Sequence, residues 1–304
     1  MSKPLGLVIN PSSGKGKGRA LGQQVVAELQ RAGVQYVDLS ASDFATASAS
    51  ARRAVESQEI SGLLVVGGDG MAHLGVNACA QSTVPLGIIA AGTGNDSART
   101  LGLPTDDVVA GVRAVLACLD KPRPVDLLRG KTTAGEFWSF GTVSAGFDAL
   151  VNRRANQLRW PKGPRRYEVA MVLELAKFKG IHYKAVIDGS PREIDAMLCA
   201  VANSPAFGGG MLIAPDARVD DGLLDLFVVH KISRGTLLKI FPKVYTGAHV
   251  THPAVEIIRA QSVILDAGAM PAYSDGEAVG QSPIAVSIAP KALLVFAPAP
   301  PSVA

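Results

Sequence analysis

The chain predicts an α/β fold in two parts, an N-terminal domain on a parallel sheet and a mostly antiparallel, β-rich C-terminal domain. Three observations carry this. Up to about Leu119, short apolar runs alternate with segments of helical periodicity. Glycine clusters close several of those runs, at the strand ends where open α/β sheets bind ligands. Beyond about Asp126 the alternation stops, and short strand-like runs are punctuated by Gly, Pro and Asp.

Leu5–Ile9 is an apolar run that reads as a buried strand and ends in the turn cluster Asn10-Pro11-Ser12-Ser13-Gly14. Ala20–Ala32 follows as a helix, with Leu21, Val25, Val26 and Leu29 on one face and Gly33 as its stop. Gln35–Leu39 is a second strand and Ala45–Ser57 a second helix. Gly62–Val66 runs into Gly67-Gly68-Asp69-Gly70, and a helix covers Ala72–Cys79. Pro85–Ala90 runs into Gly92-Thr93-Gly94-Asn95-Asp96, with a helix at Val108–Leu119. The later strands are Phe137–Val143, Tyr183–Ile187, Ala196–Val201, Leu224–Val229, Ser262–Leu265, Ile284–Ile288 and Leu293–Phe296. Helices are expected near Tyr167–Phe178 and Gly235–Tyr245, and a frayed Pro-rich tail from Ala297.

Composition narrows the class. With 304 residues, 48% of them hydrophobic, the chain can bury two ordinary cores. Three widely spaced cysteines, an odd count without a CxxC pair, fit a reducing compartment. No apolar run approaches the roughly 18 residues of a membrane span, and the start lacks a signal-peptide core, so the cytoplasm is the expected location and any membrane contact is peripheral. The net charge of +4 is too small to argue for nucleic acid, and no nucleic-acid motif accompanies it. Its distribution is uneven: Arg153–Lys184 holds nine basic residues against two acidic ones, leaving −3 for the rest of the chain. Trp160, Tyr167, Phe178 and Tyr183 are interleaved with these charges. That mixture suits the anionic inner surface of a membrane, where each Lys or Arg contributes about 1 kcal/mol. An ordinary solvated helix face would show the same residues. The five histidines show no ligand spacing with a third partner and read as structural or surface residues.

The glycine turns carry the chemistry. Asn10–Gly18 is a Gly/Lys-rich loop between a strand and a helix, a setting in which free N–H groups bind phosphate. Its spacing fits neither the Walker A loop nor G-x-G-x-x-G. Gly67-Gly68-Asp69-Gly70 lets backbone approach a phosphate chain closely, and Asp69 there makes sense with a cation between it and the phosphates. Gly92-Thr93-Gly94-Asn95-Asp96 repeats that logic one strand later. Singly, each is also what a tight strand-to-helix turn looks like. Two on successive parallel strands face one sheet edge.

Together with Asp221-Gly222 and Asp275-Gly276-Glu277, these motifs resemble the diacylglycerol kinase catalytic-domain family of soluble bacterial lipid kinases, related to sphingosine and ceramide kinases and more distantly to NAD kinases. The resemblance spans essentially the whole chain in order. It implies a nucleotide-binding domain over 1–126, to which 290–304 returns, and a lipid-substrate domain over 127–289. It implies ATP and Mg²⁺, with Asp69, Asp96 and Asp126 as the acidic network around the nucleotide's metal. Asn10, Gly67, Gly68, Asp69, Gly70, Met71, Thr93 and Asn95 are the implied nucleotide contacts, and Glu277 the general base. A second, structural Mg²⁺ is implied at Asp221, assisted by the carbonyls of Arg218 and Leu223. The implied acceptor is a lipid hydroxyl, diacylglycerol first, then a sphingoid base or ceramide. An NAD-kinase-like enzyme and a non-catalytic nucleotide- or lipid-binding protein are the rival readings. A homodimer is among the states the resemblance allows. Three positions depart from the family pattern: Met71 stands for Thr, Leu74 for Glu, and Ser97 for an aromatic.

Overall fold

The computed structural model describes residues 3–11, 13, 18–158, 160, 169–170, 173–174 and 180–299. It divides into two compact units, 1–127 with 290–304, and 128–289.

The first unit is a parallel sheet. Strands β1 (Leu5–Ile9), β2 (Tyr36–Asp38), β3 (Gly62–Gly67) and β4 (Leu86–Ala90) lie in the order β4-β3-β1-β2. Leu5 is in register with Tyr36 on one side and Gly62 on the other, and Leu63 with Leu86. The end of β15 (Ile284–Val295) adds parallel to β4 through Val295 and Leu86. Every residue of β3 and β4 is buried, as expected of strands covered on both faces.

The covering helices are α1 (Gly18–Arg31), α2 (Phe44–Glu56), α3 (Asp69–Cys79), α4 (Asp96–Thr100) and α5 (Val108–Leu116). α1 packs with α5 and α2 with α3. Right-handed crossovers in this strand order put α1 on one face and α2 and α3 on the other. Gly75 lets α3 sit down on the sheet, since a Cβ there would be 2.5 Å from Leu86 Cδ1. α2 and α5 have aspartate caps: Asp43 accepts from Thr46 N at 2.9 Å, and Asp107 from Val109 N at 2.9 Å and Ala110 N at 3.1 Å. The N-cap residues of α3 and α4, Gly68 and Asn95, make no side-chain cap bond.

The second unit is antiparallel. Its strands are the end of β5 (Arg123–Thr132), β6 (Gly135–Ser139), β7 (Thr142–Ala145), β8 (Ile181–Ile187), β9 (Ser190–Ala202), β10 (Leu224–His230), β11 (Val255–Ala260), β12 (Ser262–Asp266), β13 (Pro271–Ser274), β14 (Glu277–Gln281) and the start of β15. They run β14-β13-β7-β9-β8-β12-β15, with β10 between β9 and β11 and β5 paired to β6. β10 divides its side chains by alternation: Leu226 and Val228 enter one core with Val143, Tyr183, Val201 and Leu265. Phe227 and Val229 enter a second core with Val151, Met197 and Val244. Helix α6 (Phe147–Gln157) and the segment formed by α7 (Arg234–Ile240) and a 3-10 turn at Phe241–Thr246 cover that second core.

The fold class stands as the sequence predicts, with local corrections. The run Phe137–Val143 is two strands, broken where the amides of Phe140, Gly141 and Thr142 leave the ladder for Asp275. Gly235–Tyr245 is not one α-helix: it becomes 3-10 at Phe241, where Pro242 has no N–H to continue the α pattern. Ile284–Ile288 and Leu293–Phe296 belong to one long strand. Most of the helix expected near Tyr167–Phe178, and the tail beyond Ala299, lie outside the described residues. Among those described, no helix is long and apolar enough to cross a membrane.

Candidate active site

In the first unit, β3 and β4 deliver the two glycine turns side by side. Ala91 N donates to Gly67 O at 2.8 Å, tying the strand ends together. The backbones then touch: a Cβ on Gly92 would lie 2.3 Å from Gly68 Cα and 2.9 Å from Gly68 N. Only glycine fits that contact. Asn95 holds the second turn. It sits in the left-handed region at φ 57°. Its Oδ1 accepts from Gly92 N at 3.0 Å, and its Nδ2 donates to the carbonyls of Gly92 at 3.2 Å and Thr105 at 3.1 Å. The Asn95 side chain is thus engaged in shaping the loop.

α3 and α4 both open at these turns. The first amides of a helix have no intrahelical partner, and together with the helix dipole they favour an anion. Where α2 and α5 satisfy theirs with aspartate, α3 starts on Gly68 with none. Asp69 Oδ1 crosses to accept from Ser97 N, in the first turn of α4, at 3.3 Å. Asp96 is buried and pairs with Arg99 at 2.6 Å. Thr93 is exposed at the tip of the second turn, and Gly70 is half-buried. Met71 is buried beneath the first turn, its Cγ 2.4 Å from where a Gly67 Cβ would be. Its side chain therefore packs inward.

Asn10 borders this pair of turns. Its N donates to Val66 O at 3.1 Å, and its Cβ is 3.6 Å from the position of a Gly67 Cβ. Its carbonyl accepts from Ser13 Oγ at 2.9 Å, and Gly18 folds back onto it so closely that a Cβ would be 2.3 Å from Asn10 O. Gly14, Lys15, Gly16 and Lys17 lie outside the described residues. Asp126, also in the first unit, is 2% exposed and accepts from Lys291 N at 2.7 Å. It anchors the returning segment at a residue whose φ is +55°.

In the second unit, Glu277 is exposed and opens β14, paired across the hairpin with Ser274. The turn between them, Asp275-Gly276, has φ of 49° and 88°, the left-handed pair that Asp-Gly hairpins adopt. Asp275 pins this turn to the β6–β7 corner: its carboxylate accepts from Phe140 N at 3.0 Å, Gly141 N at 2.9 Å and Thr142 N at 2.9 Å. Tyr273 is buried beside it. Burial pushes its phenol up, with Arg153 opposing the shift and the charge of Glu277 adding to it. Sequence reasoning gave Asp275 no role of its own and passed over Arg153 and Tyr273 at this hairpin. The Asp-Gly pair signals a turn, but nothing local signals its remote amide partners.

The Asp221 turn is differently occupied. Asp221 Oδ1 accepts from Leu223 N at 3.1 Å, and Oδ2 pairs with Arg259. Arg259 also lies 3.9 Å from Asp225, while Arg218 pairs with Asp220 at 3.2 Å. The Arg259 guanidinium occupies the Asp221 carboxylate, so the turn does not fit a resident metal unless Arg259 moves. Among the described residues, no group of three or more His, Cys, Asp or Glu converges as a metal site. Asp69 and Asp96 are hard oxygen donors at the glycine turns, the kind a nucleotide's Mg²⁺ takes, and a cation there would compete with Arg99 for Asp96 as it would with Arg259 for Asp221.

Comparison with known proteins places the chain by family and fold. Residues 4–129 match the model of the diacylglycerol kinase catalytic domain, and residues 141–297 that of the YegS C-terminal NAD kinase beta sandwich-like domain. A diacylglycerol kinase of Mycobacterium tuberculosis is 38% identical over 292 residues, covering 95% of this chain and 93% of that protein. One from Staphylococcus carnosus is 27% identical over 286 residues, covering 93% and 91%. In fold, the crystal structure of a diacylglycerol kinase from Bacillus anthracis superposes with a TM-score of 0.73 at 19% identity, covering 99% of this chain and 98% of that one.

Proposed function

This chain belongs to the diacylglycerol kinase family, a phosphotransferase family with an alcohol acceptor, and from that premise we propose that it phosphorylates the free hydroxyl of diacylglycerol to give phosphatidic acid. The observation that carries the nucleotide half is the uncapped start of α3 at Gly68, held against the second glycine turn by the Gly68–Gly92 contact. ATP is the proposed donor, its phosphates taking the backbone amides of the Gly67–Gly70 turn with Thr93 and Asn10 alongside. Mg²⁺, when bound with the nucleotide, neutralises phosphate charge; Asp69 and Asp96 are the residues proposed to hold it, and Asp126 to support them by fixing the returning segment.

Glu277 is the proposed general base. As the acceptor oxygen bonds to the γ-phosphorus, the bond from that phosphorus to the β–γ bridging oxygen breaks to release ADP, and the acceptor proton goes to the Glu277 carboxylate. The exposed position of Glu277 on a pinned hairpin supports this role, because a base must be both reachable and fixed. For the Asp221 turn, the proposal is a competition: Mg²⁺ bound through Asp221 and the carbonyls of Arg218 and Leu223 displaces Arg259. In a nucleotide-free Mg²⁺ titration followed by thermal shift, Arg259→Met should then bind more tightly than the wild type. Equal responses would remove the site.

The exposed Trp160 and Arg153 support peripheral contact with the inner membrane surface through the basic segment from Arg153 to Lys184. Arg159, Lys162, Arg165, Arg166, Tyr167, Lys177, Phe178 and Lys179 of that segment lie outside the described residues. Labelled ATP with Mg²⁺ and a panel of acceptors in mixed micelles tests the function. Label should enter diacylglycerol ahead of a sphingoid base, ceramide or NAD. Preferential labelling of NAD, or ATP binding with no acceptor turned over, overturns the reading.

A further inference from the structure

α7 and the 3-10 turn that continues it form a second basic and apolar surface on the C-terminal unit. Between Leu226 and Val255 the chain carries no aspartate or glutamate, although it has 26 acidic residues in 304. Within that stretch Lys231, Arg234, Lys239 and Lys243 are all exposed. Lys231, Lys239 and Lys243 have no ion-pair partner among the described residues. The first acid beyond the stretch, Glu256, is neutralised by Arg192 at 2.8 Å and His230 at 2.8 Å.

Hydrophobic side chains accompany these charges on the outside. Leu237, Phe241 and Val244 face inward and join the second core. Leu238 and Tyr245 do not: they are 46% and 47% exposed. Phe241 steadies Tyr245 edge-on, with ring centroids 6.1 Å apart. A half-exposed tyrosine packed edge-on against a core phenylalanine suits a membrane–water interface. Leu150, Val151, Ala155 and Leu158, from α6 and its end, pack into the same core. α6 and this segment are therefore carried on one layer, over one face of the sheet.

We propose that the Lys231–Thr246 surface docks on an anionic lipid bilayer, with Lys239 and Lys243 at the headgroups and Leu238 and Tyr245 inserted between them. Positive charge without acidic relief selects a negative partner. The paired apolar tips select a surface that can receive hydrocarbon, and a soluble polyanion cannot. The biological sense of the surface rests on the acceptor being a membrane lipid; its binding does not.

The test is sedimentation of the full chain with sucrose-loaded vesicles that contain neither acceptor lipid nor ATP, of phosphatidylcholine alone or with about one third phosphatidylglycerol. Wild type should bind only the anionic vesicles, and more weakly as salt is raised. Lys239→Glu with Lys243→Glu should weaken binding at least about 25-fold, from roughly fivefold per charge lost. Leu238→Ser with Tyr245→Ser should weaken it at the same salt. Both variants should keep wild-type turnover on a water-soluble short-chain acceptor, which checks that they fold. Vesicle binding equal to wild type in both variants overturns the proposal, as does a wild type that ignores anionic vesicles. Self-association lost in the variants, without vesicle binding, would instead assign the surface to a second copy of the chain. Failure of the diacylglycerol reading would appear as absent turnover with vesicle binding intact.

Discussion

Adding one methyl group to Gly92 should do more damage than adding one to Gly68, although the two residues touch. A Cβ on Gly92 would lie 2.3 Å from Gly68 Cα, 2.9 Å from Gly68 N and 2.9 Å from Asn95 Oδ1. Two of those atoms are backbone and cannot turn aside. Restoring ordinary contact needs the turns to part by about 1 Å, at the upper end of the roughly 1–3 kcal/mol that overpacking costs. Parting also strains the Ala91 N to Gly67 O bond and the Gly92 N to Asn95 Oδ1 bond, each worth about 1 kcal/mol. Gly92→Ala should therefore cost about 4 kcal/mol, and the melting temperature should fall by about 10 °C at roughly 2–4 °C per kcal/mol. In Gly68→Ala the new Cβ meets Gly92 Cα at 3.1 Å, which a shift of a few tenths of an ångström relieves, so about 1 kcal/mol is expected. Thermal unfolding and affinity for a fluorescent ATP analogue read both effects. If the two variants melt together and bind nucleotide equally well, the turns do not meet as described.

Two further outcomes follow from the C-terminal unit. Asp275→Ala strips the acceptor from three backbone amides and should cost about 3 kcal/mol, since hydrogen bonds to a charged group are worth roughly 1.5–3 kcal/mol and are not additive; turnover should fall with nucleotide affinity unchanged, and unaltered urea unfolding would refute the pin. His249 is fully buried, donates through Nε2 to Ile213 O at 3.2 Å and stands edge-on to Phe227, and burial holds its imidazole below the ordinary value. The unfolded chain takes up that proton first, at about pH 6.5, so the stability is present above that pH and is lost as pH falls toward the depressed folded value. His249→Phe should flatten the stability profile below pH 6.5, and an identical acid slope in wild type and variant would contradict this.

The first unit is legible from the sequence because its signals are local. Leu63–Val66 and Leu86–Ala90 are apolar runs that end in glycine, and the strands and turns fall there. α4 escaped because it is five residues long and begins with a left-handed asparagine. The β13–β14 hairpin that carries Glu277 escaped because its strands are short and half polar. The bonds that fix that hairpin span more than 130 residues, from Asp275 to Phe140–Thr142, and no spacing rule encodes them. Arg259 on Asp221 is hidden for the same reason, being 38 residues away. The family resemblance named the chemical residues. Only coordinates show that Asn95 and Met71 shape the turns from within.

The direct test of the phosphoryl-transfer account is the steady-state rate of Glu277→Gln on diacylglycerol, measured beside its nucleotide affinity. The account predicts a rate lower by about 10²–10⁴-fold, the contribution of a positioned base, with ATP-analogue binding unchanged. A variant that turns over at the wild-type rate would show that the acceptor proton goes elsewhere and would contradict the mechanism.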